Sequence, residues 1–469
     1  MGGGDLYYSF AEFRVLMNNK MSSADHLAIG EPQSGSVSNR GRSVYAIVDC
    51  DCFYCSCERL FDPSVTGKPV VVLSNNDGCI ISRSDEAKSL GVRMGVPYFE
   101  AKSVIEKNGV KAFSSNYHLY GDISMRVMDT LRALVGRERV EVYSVDEAFL
   151  RLDHIDPERL ESFAVEIRDT VQCWTGIPVS VGIAATKTLA KIASRLAKKE
   201  KARTGCTLLL LDEEVQRKAL METRVSGIWG IGRSYASKLI GLGITSGWEL
   251  RNMPESWAHT HLGGVVGRRL IRELRGEPAL TMREELDGKK MIATTRMFGR
   301  PVTALNELKE AVATYTSRAA EKLRRQQCAA TEISVFIVPR EENYSLDFRN
   351  APQFTARATL SQATSLTNEL IKSAMRLVEE IFSPGATYKK AGVMLGKIRP
   401  DVSIQGNFFR TDSGRSNRYL MSAVDNVNFS MRDDVVKFVG TGLDKSWKMR
   451  QELRSKRCST RWDELKEIT

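Results

Sequence analysis

The feature that most constrains the fold of this chain is a short acidic and aromatic sequence, DCDCFYCSCE, at residues 49 to 58. It follows the apolar run of residues 44 to 48, which is typical of a buried strand. Because side chains alternate along a strand, we expect Asp49 and Asp51 on one face of its end. Carboxylates beside aromatic residues at a strand end are suited to binding a divalent metal that acts on a phosphate.

A second acidic pair, Asp146 and Glu147 in YSVDEAFL, follows a predicted strand at residues 140 to 145. Two-metal phosphoryl transfer needs about two or three carboxylates around ions roughly 3.5 to 4 Å apart. Adjacent side chains diverge on a straight strand, so both can reach metal only at a strand end or turn. Surface acids on a strand edge are the alternative for either pair taken alone.

With their neighbours, these residues resemble the Y family of translesion DNA polymerases. Three sequences, KPVVVLSNNDGCIISRSDEAKSLGV, SSNYHLYGDISMRVM and YSVDEAF, further resemble the UmuC-type catalytic subunits of bacterial DNA polymerase V. The resemblance runs from about Val44 to the C-terminus. It implies an error-prone, template-directed polymerase of the SOS DNA damage response. The implied fold is α/β and α+β, a right hand with palm, short fingers, helical thumb and βαββαβ little finger.

Composition agrees with this interpretation. The 469 residues, 42% of them hydrophobic, can bury several cores. The net charge of +11 predicts an anionic partner, most simply nucleic acid, although a solvated basic surface is the alternative. No run approaches the roughly 18 apolar residues of a membrane span. We therefore expect a cytoplasmic protein associated with the nucleoid and without a membrane partner.

Four of the nine cysteines, at positions 50, 52, 55 and 57, suggest a metal site at first sight. Structural zinc sites usually take two ligands from each of two separated turns, and no second CxxC or nearby histidine supplies the other half. Free thiols that pack as small apolar side chains are therefore expected.

The order of predicted strands and helices divides the chain into successive regions. Glycine, serine and asparagine dominate the first of them, so it is expected to be flexible. The predicted boundaries are an extension at 1–43, palm at 44–52 and 118–194, fingers at 53–117, thumb at 195–286, linker and little finger at 287–398, and a tail at 399–469.

Within the predicted thumb, the sequence GIWGIG at residues 227 to 232 resembles a helix-hairpin-helix. Glycines let backbone amides approach a phosphate closely, and a helix N-terminus adds its dipole. Gly227, Gly230, Gly232 and Arg233 are therefore predicted to contact the DNA backbone. A plain helix-helix turn that needs glycine at its cap is the alternative.

The resemblance also implies roles at the catalytic centre. Asp49 and Asp146 would bridge two Mg²⁺ ions, Glu147 would complete the primer-side ion, and the backbone carbonyl of Cys50 would help the nucleotide-side ion. Asp51 is expected to support them.

Two cations are expected to contact the triphosphate of the incoming deoxynucleotide. Lys88 and Lys187 stand where the resemblance places phosphate-contacting cations, although a lone lysine on a helix is usually solvated. Many members carry a tyrosine three residues before the first cation, whereas this chain has Asp85.

Aromatic and small residues complete the predicted nucleotide site. Tyr54, after Phe53, matches the steric gate that excludes a ribose 2′-hydroxyl, with a buried core aromatic as the alternative. Cys79 and Ile81, on a hairpin that turns at residues 75 to 78, are expected to form the roof over the nascent base pair.

The tail is predicted to bind protein partners. SIQGNFFR resembles a sliding-clamp motif anchored by Gln405, Phe408 and Phe409, although Gly406 and Phe408 replace the usual leucines. Folding of both rings back onto the little finger is the alternative. The last residues resemble a UmuC-type tail, which implies a processed UmuD-type dimer and a recombinase filament as partners, besides primer-template DNA.

Two other functions share some of these features. A nucleotidyl cyclase has a palm-like fold with paired acids, but would not need the glycine-rich turn, the βαββαβ region or a steric gate. A catalytically idle DNA-binding scaffold would not need Asp49, Asp146 and Glu147.

Overall fold

The computed structural model describes residues 43–282, 290–340, 353–403, 414–431 and 434–465. The chain divides into two compact units. The first unit contains Leu119–Glu285 and the described part of Lys20–Gly67. The second contains Lys68–His118 and the described part of Leu286–Thr469. Most of the predicted N-terminal extension lies outside the described residues.

The strands, in chain order, are β1 (Tyr45–Cys50), β2 (Val70–Leu73), β3 (Ile80–Arg83), β4 (Lys111–Ser114), β5 (Val140–Val142), β6 (Glu147–Arg151), β7 (Val179–Ala184), β8 (Thr207–Leu210), β9 (Ile292–Val302), β10 (Cys328–Pro339), β11 (Phe354–Thr364) and β12 (Tyr388–Pro400). The α-helices are α1 (Phe53–Phe61), α2 (Asp85–Ser89), α3 (Tyr98–Lys107), α4 (Tyr117–Val135), α5 (Leu160–Thr175), α6 (Lys187–Lys199), α7 (Lys201–Thr204), α8 (Glu213–Glu222), α9 (Arg233–Gly241), α10 (Gly247–Arg251), α11 (Glu255–His261), α12 (Val265–Leu274), α13 (Leu305–Arg325), α14 (Thr367–Ile381) and α15 (Gly414–Ser430).

The first unit is built on a five-stranded sheet with the order β5-β6-β1-β7-β8. The central strand β1 pairs antiparallel with β6 and with β7, and Asp49 lies opposite Glu147 on one side and Ser180 on the other. All six residues of β7 are buried, as expected for a strand covered on both faces. The carboxylate-bearing end of β1 is therefore fixed by pairing on both sides.

Helix α6 packs directly on β7 at Gly182. A Cβ atom at this glycine would lie 2.2 Å from the backbone nitrogen of Ser194 and 2.4 Å from the carbonyl oxygen of Ala190. Real Cβ atoms do not approach backbone so closely, so only glycine allows this helix-to-strand distance.

The region after α6 is less uniformly helical than the sequence predicted. Residues 207 to 210 form β8, which pairs parallel with β7, so the helical thumb predicted at 195–286 was wrong in this stretch. Short apolar runs suit either a strand or a helix, and pairing with β7 decides the outcome. Helices α8 to α12 follow it.

The second unit contains a three-stranded sheet of order β3-β2-β4. Strands β2 and β3 form the predicted hairpin, and a 3-10 turn at Asn75–Asp77 connects them. Helix α3 and strand β4 were not predicted. Strand β4 pairs parallel with β2 on one side and is an edge strand of this sheet.

The second unit also contains a four-stranded sheet of order β11-β10-β12-β9, here called the C-terminal sheet. Its chain order with helices α13 and α14 is βαββαβ, as the sequence predicted. Leu308, Val312 and Leu370 from these helices pack in one core with Ile333 and Val393 from the sheet. No helix within the described residues is long and apolar enough to cross a membrane.

Candidate active site

Three of the predicted metal ligands meet at one end of the first unit's sheet. Asp49, the last residue but one of β1, faces Glu147, the first residue of β6, in the antiparallel register. The backbone nitrogen of Cys50 donates a hydrogen bond of 2.9 Å to the carbonyl oxygen of Asp146. The structure thus brings the two acidic pairs of the sequence together on neighbouring strands.

A tight turn between β5 and β6 positions Asp146 beside Glu147. The backbone nitrogens of Tyr143 and Ser144 both donate to the carbonyl oxygen of Glu147 at 3.0 Å, and the Ser144 hydroxyl donates to the Asp146 carboxylate. The strand predicted to reach residue 145 therefore ends at Val142, because the chain must reverse to pair β5 with β6. The acidic pair thus lies at a turn, the position expected from the sequence if both side chains are to reach one metal site.

Lys198, from the C-terminal end of α6, is the central cation of this group. Its Nζ lies 2.8 Å from Asp49 Oδ1, 3.3 Å from the Cys50 carbonyl oxygen and 3.3 Å from Asp51 Oδ1. Asp51 is buried, 2.7 Å from Lys201 Nζ, and accepts a 2.9 Å bond from the Ser180 hydroxyl. Asp51 thus binds the lysines, which agrees with a supporting role.

Lys191, about two helical turns before Lys198 on α6, binds the other side of the carboxylate group. Its Nζ lies 2.9 and 3.1 Å from the two carboxylate oxygens of Glu147. The same ammonium lies 4.3 Å from the ring centre of Tyr143 and 5.4 Å from that of Trp229. Because Trp229 Nε1 donates to the Tyr143 hydroxyl at 2.9 Å, this aromatic pair holds Lys191 beside Glu147.

Burial raises the pKa of Asp49 to about 6, although Lys198 opposes the shift. Glu147 and Asp146 add to the increase because like charges disfavour a further carboxylate. Burial alone would lower the pKa of Lys198, but Asp49 and Asp51 outweigh it and raise the pKa. The site is a compact group of negative charge that recruits cations.

The oxygens of this group suit a hard divalent cation. A cation, the Lys198 ammonium, already contacts both Asp49 and the Cys50 carbonyl oxygen, the two donors predicted for one metal ion. Asp146 and Glu147 supply further carboxylates. In the described parts of the chain, no three His, Cys, Asp or Glu side chains are arranged as a ready metal site. Bound metal would have to compete with Lys198 and Lys191 for these oxygens.

Tyr54 and Phe53 lie on α1, which begins directly after the Asp49 end of β1. Phe53 is buried, whereas Tyr54 is half-buried and stacks on Tyr120 with ring centres 4.5 Å apart. Tyr120 is fully buried, and its hydroxyl donates to Glu58 at 2.6 Å. The stack gives Tyr54 a fixed orientation, and its role as steric gate stays a prediction.

Lys187 lies away from the carboxylates. It follows β7 beside the Tyr45 end of β1, whereas Asp49 is at the opposite end. It is 2% exposed, ion-paired with the buried Glu141, and donates to the Thr281 carbonyl oxygen at 2.8 Å. The predicted phosphate contact of Lys187 gains no support from this position, and the sequence reasoning missed Lys198, the α6 lysine that does reach Asp49.

The other predicted nucleotide contacts belong to the second unit. Lys88 makes an exposed ion pair with Asp85, whose Oδ1 lies 2.6 Å from the lysine Nζ. Cys79 and Ile81 are half-buried, at and just after the turn into β3. The contact of Lys88 with the triphosphate and the covering of the base pair by Cys79 and Ile81 stay predictions.

The glycine-rich turn of the predicted thumb lies between a 3-10 helix, Val225–Gly227, and α9. Gly230 has a φ of 91°, which favours glycine, whereas Gly232 caps the N-terminus of α9 in an extended conformation that other residues also adopt. Gly230, Gly232 and Arg233 are exposed. Gly227 is half-buried, and its carbonyl oxygen accepts a 2.8 Å bond from Arg195.

The clustered cysteines are mostly internal. Cys50, Cys55 and Cys57 are buried, and Cys52 is partly so. Burial raises the pKa of the Cys50 and Cys57 thiols, which keeps them protonated. That these cysteines pack as free thiols and bind no structural zinc stays a prediction. The clamp-motif residues Gln405, Phe408 and Phe409 lie outside the described residues.

Three family models match this chain: the impB/mucB/samB family at residues 48–195, its C-terminal domain at 289–408, and a domain of unknown function, DUF4113, at 418–468. Protein UmuC of Salmonella typhimurium is 40% identical over 90% of this chain and 99% of the relative. Protein MucB of Escherichia coli is 35% identical over 89% and 98%, respectively. DNA polymerase IV 2 of Mesorhizobium japonicum is 30% identical over 71% and 76%.

Among solved structures, a Y-family DNA polymerase chimera of Dbh and Dpo4 matches with a TM-score of 0.60 and 21% identity. The match covers 76% of this chain and 99% of the chimera. At that identity it establishes the fold, and the predicted Y-family architecture is confirmed at this level. With the family models and relatives, the chain belongs to the impB/mucB/samB family, as one of its UmuC-type members.

Proposed function

We propose that this chain is a Mg²⁺-dependent, template-directed DNA polymerase that performs error-prone synthesis past damaged bases. The observation that carries the proposal is the meeting of Asp49, Asp146 and Glu147 at one sheet end, with Lys198 and Lys191 against them. Relatives named UmuC and DNA polymerase IV support the same function and do not favour the cyclase or the idle scaffold.

The charges of the site indicate separate roles for the carboxylates, which would bind metal, and for Lys198, which would face phosphate. Bound Mg²⁺ would activate the primer 3′-hydroxyl and carry the triphosphate. Asp49, the Cys50 carbonyl, Asp146 and Glu147 are the residues that would hold it. With metal held by those oxygens, the Lys198 ammonium beside them would be available to neutralise negative charge on the phosphates.

The remaining predicted contacts complete this proposal. Tyr54 would exclude ribonucleotides, Cys79 and Ile81 would cover the base pair, and Lys88 would contact the triphosphate. The exposed turn at Gly230, Gly232 and Arg233 would hold the DNA backbone without reading its sequence. The βαββαβ region would act as the little finger on the same duplex.

Primer extension by the full chain, with and without Mg²⁺, tests the function. The reactions contain undamaged or abasic templates, a processed UmuD-type dimer and recombinase filament, and Asp146→Asn as the matched control. In these reactions, we expect Mg²⁺-dependent extension past the abasic site by the wild type but not by Asp146→Asn. Equal extension by Asp146→Asn, or extension that survives chelation of metal, would contradict the proposal.

Binding to the sliding clamp is part of the same proposal and rests on Gln405, Phe408 and Phe409. Buried aromatic anchors typically contribute about 2 kcal/mol or more each to an interface. Changing both phenylalanines to alanine should abolish clamp binding and clamp-stimulated synthesis but spare extension without clamp. A parallel fall in thermal stability would instead place both rings in the core of the protein.

A further inference from the structure

Residues 447–455, here called the linking segment, lie within the DUF4113 match and connect the two sheets of the second unit. The segment is anchored at Trp447, which is 3% exposed. Its ring packs edge-on against Phe298, at 6.3 Å between ring centres, and against Tyr315, at 5.8 Å. One end of the segment is therefore part of the hydrophobic core under the C-terminal sheet.

The linking segment next runs along β9, an edge strand of the C-terminal sheet. The backbone nitrogen of Gly299 donates to the Trp447 carbonyl oxygen at 3.0 Å. A Cβ atom at Gly299 would lie 2.1 Å from the Lys448 carbonyl oxygen. Only glycine allows this approach, so the contact is between two backbones rather than between adaptable side chains.

The middle of the linking segment binds the turn of the β2–β3 hairpin. The backbone nitrogen of Arg450 donates to Asn76 Oδ1 at 2.8 Å, and that of Glu452 donates to Asp77 Oδ2 at 3.1 Å. Asn76 Nδ2 in turn donates to the Phe298 carbonyl oxygen of β9 at 3.1 Å. The turn is thus attached both to the segment and to the C-terminal sheet.

These bonds hold a turn with an uncommon backbone conformation. Asn76 and Asp77 have φ values of 61° and 51°, in the left-handed region that, apart from glycine, asparagine and aspartate occupy most readily. Such a conformation persists where surrounding contacts fix it.

The end of the linking segment pairs with β4, the edge strand of the three-stranded sheet. The Ser114 nitrogen donates to the Leu453 carbonyl oxygen at 3.0 Å, and the Leu453 nitrogen donates to the Ser114 hydroxyl at 2.9 Å. Gln451 Nε2 also donates to the Ser115 carbonyl oxygen at 3.0 Å. The segment therefore covers one open edge of each sheet.

We propose that the linking segment is a positioning element of the polymerase, which gives this part of the domain of unknown function a role in synthesis. By holding the turn of residues 75–77, it fixes the hairpin that carries Cys79 and Ile81. It thereby sets how firmly the incoming nucleotide is enclosed. This inference rests on the proposed function of Cys79 and Ile81 as the roof of the nascent base pair.

The test weakens the contact from both sides in the full chain with its partners. Asn76→Gly removes the acceptor while keeping a backbone that tolerates positive φ, and Arg450→Pro removes the donating nitrogen. Lys397→Gly, at another positive-φ residue of the second unit, controls for added glycine flexibility. Asp77→Gly, which removes the acceptor of the Glu452 amide at a second positive-φ residue of the same turn, replaces Arg450→Pro if that variant fails to fold.

We expect the KM for the correct nucleotide to rise about fivefold in Asn76→Gly and Arg450→Pro, since one net hydrogen bond corresponds to roughly that factor. The kcat should stay near the wild-type value, because the carboxylates are untouched. The double variant should be no worse than Asn76→Gly alone, since the bond lost in Arg450→Pro is one of those that Asn76→Gly already removes. Lys397→Gly should match the wild type.

Hydrogen exchange separates this inference from the proposed function, because it needs no catalysis. Amides of residues 79 to 83 should exchange faster in Asn76→Gly and Arg450→Pro than in Lys397→Gly. Unchanged exchange would show that the segment does not hold the hairpin. Faster exchange with an unchanged KM would show that the hairpin does not enclose the nucleotide. Either result overturns the inference, whereas a wild type without polymerase activity would overturn the proposed function itself.

Discussion

The two ends of helix α6 carry the same residue type in opposite settings. At its N-terminal end, Lys187 forms a buried pair with Glu141, whose side chain is 5% exposed. At its C-terminal end, Lys198 contacts Asp49, and both side chains are about a quarter exposed. A buried pair is shielded from competing ions in solution, whereas a partly exposed pair can exchange one partner for metal or phosphate. Helix α6 thus combines a structural ion pair with an exchangeable one.

The largest expected effect is at the exchangeable end. Asp49→Ala or Asp146→Asn should lower the rate of single-nucleotide insertion by at least about 10³-fold, because a metal ligand is lost. Primer-template binding, measured by gel shift, should persist since the exposed glycine-rich turn is unchanged. Near wild-type insertion by either variant, with partners supplied, would remove these residues from the catalytic centre.

The buried end should instead control stability. Lys187→Met leaves Glu141 buried without its cation and should lower the free energy of unfolding by about 3 kcal/mol. Insertion per folded molecule should remain. Chemical denaturation measures the loss, and the double variant Lys187→Met/Glu141→Leu should recover part of it. If Lys187→Met abolished insertion without loss of stability, Lys187 would contact the triphosphate as the sequence suggested.

Lys198→Met is the matched change at the other end. We expect insertion to fall about 100-fold, through lost stabilisation of phosphate charge. The free energy of unfolding should change by no more than about 1 kcal/mol, because the pair is partly exposed and Lys201 still faces Asp51. The insertion rate and the free energy of unfolding should be measured in both Lys187→Met and Lys198→Met. If both variants lost the same amount of each, the two ends of α6 would not differ in role.

The smallest of these effects concerns discrimination between ribonucleotides and deoxyribonucleotides. Tyr54→Ala should raise the ratio of ribonucleotide to deoxyribonucleotide insertion about tenfold or more, because a single clash with the 2′-hydroxyl is removed. Phe53→Ala serves as control, since the buried ring should affect folding or both activities alike. Equal loss of both activities in Tyr54→Ala would show that Tyr54 only packs on Tyr120.

The local patterns of the sequence predicted the carboxylate group and much of the fold. Asp49 and the Asp146–Glu147 pair were found because each follows an apolar run, and the βαββαβ order was visible in hydrophobic periodicity. Lys198 was missed for a geometric reason. Lys187 and Lys198 are about three helical turns apart, roughly 16 Å, so periodicity places them on one face. Only the direction in which α6 crosses the sheet decides which lysine meets Asp49.

Pairing between distant segments explains the other errors. Strand β8 is a run of four residues whose state is set by β7, and β4 is set by β2. The linking segment binds the hairpin turn through backbone amides that meet Asn76 and Asp77 far away in the sequence, and such bonds follow no local period. Such contacts leave no signal in a single sequence.

The close approach of α6 to β7 at Gly182 makes a residue without a side chain decisive for chemistry elsewhere. An added methyl group there would push the helix outward, and Lys191 and Lys198 would move with it as one rigid rod. The distances from both lysine Nζ atoms to the carboxylates, which stay on the sheet, would then increase. A mutational scan for polymerase activity should therefore find Gly182 as intolerant as the acidic residues themselves, and no inspection of charges would explain why.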